Sequence, residues 1–152
     1  MSNELMREVV RRMVDAEHRL AALEAQEVGR VLAASGYITR GSDLVATTSF
    51  ADYLTTTPTV PAGRIAVWAV VPYYVTGAAG YDFEAKLFVD GTERHFVSAT
   101  LLAQYQQDEL TLIWTGALAA GARNIKVQIR KSNATPDVSA LAKGRLMYLH
   151  FR

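Results

Sequence analysis

A chain of 152 residues is long enough to bury one sizeable core. Its 16 Lys and Arg against 15 Asp and Glu leave a net charge of +1 with the signs interspersed, which is not the electrostatic footprint of a nucleic-acid binder. Cysteine is absent, so disulfides and thiolate metal sites are excluded, and the longest apolar run, residues 65–71, is too short to cross a bilayer. Glu4 and Glu8 interrupt the start of the chain, which therefore does not read as a signal peptide. The expectation is a soluble chain made in the cytosol without its own export signal.

Residues 1–30 are expected to form one helix. Ser2 or Asn3 can cap its start, with Glu4 and Glu8 favourably placed near the positive end of the helix dipole. Apolar residues then recur every seven. Met6, Met13 and Leu20 fall at heptad position a, and Val9, Ala16 and Leu23 at d. Arg12 and Arg19 fall at g, Glu17 and Glu24 at e. Parallel chains bring g beside the e of the next heptad, which pairs Arg12 with Glu17 and Arg19 with Glu24 of a neighbour. Antiparallel chains would set Arg against Arg and Glu against Glu. Each exposed pair contributes only a few tenths of a kcal/mol, so the charges select direction more than they add stability. The next a and d positions are Glu27 and Arg30, so the seam ends near Gln26, and Gly29 marks the helix end. Three heptads are marginal alone, which calls for a second assembly element downstream. The same spacing would also serve an amphipathic helix packed on its own domain. The tandem Arg-apolar-x-x-apolar-Glu of residues 12–24 resembles the trimerisation motif of parallel three-stranded coiled coils. That resemblance implies a homotrimer.

From Gly36 onward the period changes to two, and residues 31–152 are expected to form a second, β domain. Strands are predicted near 36–39, 44–48, 64–71, 82–87, 92–99, 109–114, 124–130 and 144–151. Asp90-Gly91 is a strong hairpin turn. Further turn signals stand at Pro61-Ala62-Gly63, at Gly77 to Gly80, at Gly121 and at Ser132-Asn133. The threonine-rich stretch 47–59 around Phe50 and Tyr53 reads as a long polar connection, an arm along a neighbouring subunit. The expected fold is mainly β: a β-sandwich of the jelly-roll type with about seven or eight antiparallel strands, preceded by the coiled-coil helix.

Two of these strands have no polar face. In 64–71 the apolar residues Ile65, Val67 and Trp68 occupy both sides. In the last strand Leu146, Tyr148 and His150 share one face and Met147, Leu149 and Phe151 the other. The second face must meet another sheet or another subunit. Ile65, Val67 and Trp68 therefore join the heptad residues as candidate oligomerisation contacts, the alternative being a central strand in a thick monomeric sandwich.

Residues with catalytic chemistry are sparse. His18 falls on the solvent-facing f position, and His95 and His150 lack metal-ligand spacing with any other histidine. The adjacent pair Asp108-Glu109 would point to opposite faces in a strand, so it reads as a turn. Gly77-Ala78-Ala79-Gly80 lacks the Lys of a phosphate loop, and no Gly-x-Ser-x-Gly occurs. No enzyme activity, cofactor or metal is expected. Tyr73, Tyr74 and Tyr81 flank the glycine loop and are candidate ligand-binding residues, since aromatic faces can stack on sugars or anchor a protein.

Residues 116–130, a turn followed by an alternating strand, resemble a unit recurrent in phage structural jelly rolls, and Pro61-Ala62-Gly63-Arg64 before the apolar strand looks similar. With the N-terminal heptads, the chain resembles trimeric phage or prophage virion proteins: decoration proteins, head or tail fibres and receptor-binding heads. The resemblance implies a homotrimer in a virion assembled in the host cytoplasm. Its partners would be other virion proteins, such as the major capsid or tail proteins. The alternative it implies is a carbohydrate-binding head that recognises a host surface glycan. Neither nucleic acid nor membrane is an expected partner.

Overall fold

The computed structural model describes residues 34–76, 80–103, 105–134 and 137–151. The heptad residues from Met6 to Glu24, His18 and the centre of the glycine loop lie outside them. Twelve strands follow in chain order: β1 (Ala34–Thr39), β2 (Leu44–Val45), β3 (Ala51–Thr56), β4 (Thr59–Val60), β5 (Gly63–Val75), β6 (Tyr81–Val89), β7 (Thr92–Leu101), β8 (Gln107–Leu118), β9 (Gly121–Ala122), β10 (Ile125–Lys131), β11 (Val138–Ala140) and β12 (Arg145–Phe151).

Pairing divides the long strands into two antiparallel sheets. The first runs β1-β12-β5-β8, and β11 and β2 continue it beside the far half of β5. β8 pairs with β5 from Gly63 to Tyr74, so β12 and β11 must share the opposite edge of β5. The second sheet runs β3-β10-β6-β7, and β4 with β9 forms a short separate ribbon. Four nested antiparallel pairs result: β6 with β7, β5 with β8, β3 with β10, and β1 with β12. A long two-stranded ribbon folded over into two sheets in this way is a jelly roll.

The innermost hairpin forms at Asp90-Gly91, whose φ angles of 52° and 76° are those of a type I′ turn. Such a turn matches the twist of its flanking strands, and glycine takes the second position without steric cost. The Asp90 carboxylate accepts hydrogen bonds from Asn124 N and Arg123 Nη1, both at 3.0 Å, which ties the hairpin tip to the start of β10.

Alternation then builds the core. On β5 the residues Ile65, Val67, Ala69, Val71, Tyr73 and Val75 point inward. Phe83, Ala85, Leu87 and Val89 of β6 and Ile125, Val127 and Ile129 of β10 face them, all fully buried. Each large side chain removed from water contributes roughly 1.5–3 kcal/mol, which is what holds the two sheets face to face. Pro72 lies inside β5, where its missing N–H would break a ladder. It sits where the partner of β5 changes from β12 to β11, and its carbonyl accepts from Leu141 N of the connecting turn at 2.8 Å.

One expectation is corrected here. Much of the stretch 47–59 is not a free arm but the edge strand β3 of this chain's own second sheet, paired with β10. Leu54 pairs with Val127 and Asp52 with Gln128, so Tyr53 is the extra residue of a β-bulge. Tyr53 and Leu54 are consequently both buried, and the period-two signal disappears from the sequence.

Candidate interaction face

The outer faces of the two sheets differ in kind. On the second sheet, charges cover the aromatic rings. Lys86 pairs with Glu93 and Arg130 with Glu84, each at 2.7 Å, and Lys126 lies 3.4 Å from Asp52. Lys86 and Arg130 also sit over the Phe50 ring, at 4.7 and 4.6 Å from its centre. Phe96 stays 45% exposed there, but Lys86 lies 5.6 Å from its ring centre.

The outer face of the first sheet carries no ion pair among the described residues. The strand register instead places four apolar side chains directly opposite one another: Tyr37 beside Met147, Met147 beside Trp68, and Trp68 beside Ile113. This row crosses all four strands. Tyr37, Trp68 and Ile113 remain 58%, 49% and 57% exposed, an unusual state for three large apolar groups in one row. Leu149 and Ala66 form the next row. A shallow hollow of about 180 Å³ lies between Trp68, Ile113, Met147 and Leu149, and a second of about 120 Å³ between Tyr37, Trp68, Val70, Met147 and Arg145.

Of the three β5 residues predicted at an assembly surface, only Trp68 is presented outward. Ile65 and Val67 are buried within the sandwich, because pleating sends residues 65 and 67 to the face opposite 68. Tyr37, Met147 and Ile113 are their replacements on the outer face. Met147 was legible from the two-faced final strand. Tyr37 and Ile113 were not, since each stands alone in its own segment and only the register aligns them with Trp68.

The three candidate tyrosines do not form one site. Tyr73 is fully buried, its ring 4.8 Å from that of Phe83. Burial, with a smaller contribution from the negative charge of Asp108, raises the pKa of its hydroxyl, which has no hydrogen-bond partner. Tyr73 is thus corrected from ligand contact to core residue. Tyr74 points to the outer face and its ring lies 6.4 Å from that of Tyr105. Tyr105, missed in the sequence, is 66% exposed and has a φ of 63°, a region non-glycine residues rarely occupy. Its N–H donates to the Val75 carbonyl at 2.8 Å, and the side chain of Gln106 accepts from Leu102 N at 2.9 Å, which holds the turn in shape. Tyr81 begins β6 and is half-buried.

The described histidines lie apart from one another. Nδ1 of His95 accepts from Ile113 N at 2.9 Å, so β7 closes the open edge of β8. His150 is fully buried, with neither ring nitrogen hydrogen-bonded. Glu109 faces outward on β8, with Leu110 pointing into the core beside it.

No family model matches this chain, and no curated protein matches it. Among solved structures it is similar to the Eiger TNF of S. frugiperda, with 11% identity and a TM-score of 0.57 over 81% of this chain and 94% of that one. It is also similar to the VP2 subviral particle of infectious bursal disease virus, with 14% identity and a TM-score of 0.55 over 77% of this chain and 33% of that one. The chain thus spans about a third of the length of that viral protein. At such identities the likeness is one of fold.

Proposed function

We propose that this chain is a structural virion protein of a bacteriophage, a homotrimer in which the outer faces of three first sheets pack around the symmetry axis. The observation that carries this reading is the exposed row Tyr37–Met147–Trp68–Ile113 on a sheet face without ion pairs among the described residues. An apolar surface of this kind marks an interaction site. A second copy is the occupant that the rest of the chain supports. The heptads of residues 6–24 favour parallel chains, and Gln26, near which their seam ends, stands eight positions before Ala34, the first residue of β1, an edge strand of this same sheet. Helix and apolar face would therefore share one axis, which supplies the second element that three heptads need. The fold likeness to a subviral particle protein supports a place in a virion. There the trimer would decorate the capsid or form part of a head or tail fibre, in contact with other virion proteins.

Sedimentation velocity or mass photometry of the full chain tests this reading. A trimer is expected at micromolar concentration, and a monomer there would sink it.

A second reading, a carbohydrate-binding head, rests on Tyr74 and Tyr105. Their rings lie close together, next to the hydrogen-bonding side chains of Gln107 and Ser139 opposite Tyr74. It predicts glycan-array binding that Tyr105→Ala abolishes; an array without hits argues for a purely structural role.

A further inference from the structure

We infer that Arg145 of one copy pairs with Glu109 of the next, closing the trimer at the end of the sheet farthest from the start of β1. This inference rests on the homotrimer reading above. The outward positions of β1, β12, β5 and β8 carry three charges: Arg64, Arg145 and Glu109. Neither Arg145 nor Glu109 has an ion-pair partner among the described residues. Arg145 lines the apolar hollow beside Trp68 and Tyr37. Covering that hollow takes the guanidinium out of water, and an unpaired buried charge strongly opposes assembly. The covering copy must therefore bring an acid, and Glu109 is the acid of this face.

The topology places the two residues to meet. A cyclic trimer has heterologous interfaces, in which one flank of a copy meets the opposite flank of its neighbour. Arg145 lies on the β1–β12 flank, and Glu109 on the β8 flank. Within one copy β5 stands between them, at two strand spacings of about 4.8 Å each. With the strands running along the axis, rotation keeps each residue at its own height. Arg145 is level with Val70 and Thr111, and Glu109 is level with Pro72, two residues farther along β5. That step is about 7 Å, within the reach of an extended arginine. β1 starts level with Ile65, because Ala34 and Ile65 both pair with His150. The Arg145–Glu109 pair therefore stands at the end of the face opposite the start of β1.

Charge reversal tests this, read by sedimentation velocity on the full chain, with circular dichroism melts to confirm that each variant folds. Arg145→Glu and Glu109→Arg are each expected to raise the trimer dissociation constant on the order of tenfold or more, and the double variant to recover most of the loss. A wild-type trimer whose double variant is no tighter than the weaker single variant overturns the pairing and leaves the trimer standing. A wild-type monomer overturns both. Should a reversal variant fail to fold, the neutral pair Arg145→Met and Glu109→Gln serves. Effects that are not additive support the contact, and strict additivity overturns it.

Discussion

At the scale of single residues, two buried tyrosines have opposite standing. The Tyr73 hydroxyl is enclosed with no partner, a state that costs free energy relative to water. Tyr73→Phe keeps the contact with Phe83 and removes the orphaned group, so it is expected to raise stability by about 1 kcal/mol, measured as a higher urea midpoint. Tyr53 is satisfied: its hydroxyl donates to the Leu141 carbonyl, and Arg40 lies over its ring at 5.4 Å. Gly144 packs against that hydroxyl so closely that a Cβ there would overlap it. Burial pushes the Tyr53 pKa from 10.0 up to about 12, with Asp43 adding to the rise and Arg40 and the Gly144 backbone opposing it. The folded state then holds this proton more tightly than the unfolded chain does. Its contribution is complete below pH 10 and is lost as pH rises through about 12. Denaturation midpoints are expected to fall across that window. Tyr53→Phe should make the fall shallower while costing about 1 kcal/mol at neutral pH from the lost hydrogen bond.

At the scale of elements, the hairpin β6–β7 was legible and the strand β3 was not. Asp90-Gly91 specifies a type I′ turn locally, because both residues must take positive φ and few other pairs tolerate it. Gly91→Ala is expected to destabilise the fold by about 1–2 kcal/mol, checked by thermal melting. β3 lost its alternation to the bulge at Tyr53, which only the register with β10 makes visible. The same limit applies to Tyr73 and Tyr74. Adjacent strand residues point to opposite faces, and their sequence alone does not say which face is the core. Tyr105 escaped notice for a different reason: it lies in a turn, and its neighbour Tyr74 is thirty-one positions away in the chain.

At the scale of the whole molecule, the proposed assembly rests on the contrast between a charged outer face and an apolar one. The face assignment makes neighbouring residues fail differently. Trp68→Asp should leave the protomer folded, with a cooperative melting transition that no longer depends on protein concentration, and shift the mass distribution from trimer towards monomer. Val67→Asp puts an unpaired carboxylate in the core and should unfold the protomer itself. Equal melting losses in both variants would refute the assignment. Leu20→Asp, in the heptad segment, is expected to weaken assembly as well; an unchanged mass distribution would remove the helix from the interface. By itself the sequence determined what short-range physics encodes: β structure from residue 36 onward, its turns, two strands apolar on both sides, and a heptad stripe whose charges favour parallel chains. Only the tertiary structure decided which side of each strand is core and which residues of distant segments stand in one row. That information lies in strand register, where a slip of one residue exchanges the two faces, and register is set by the packing of all the strands together.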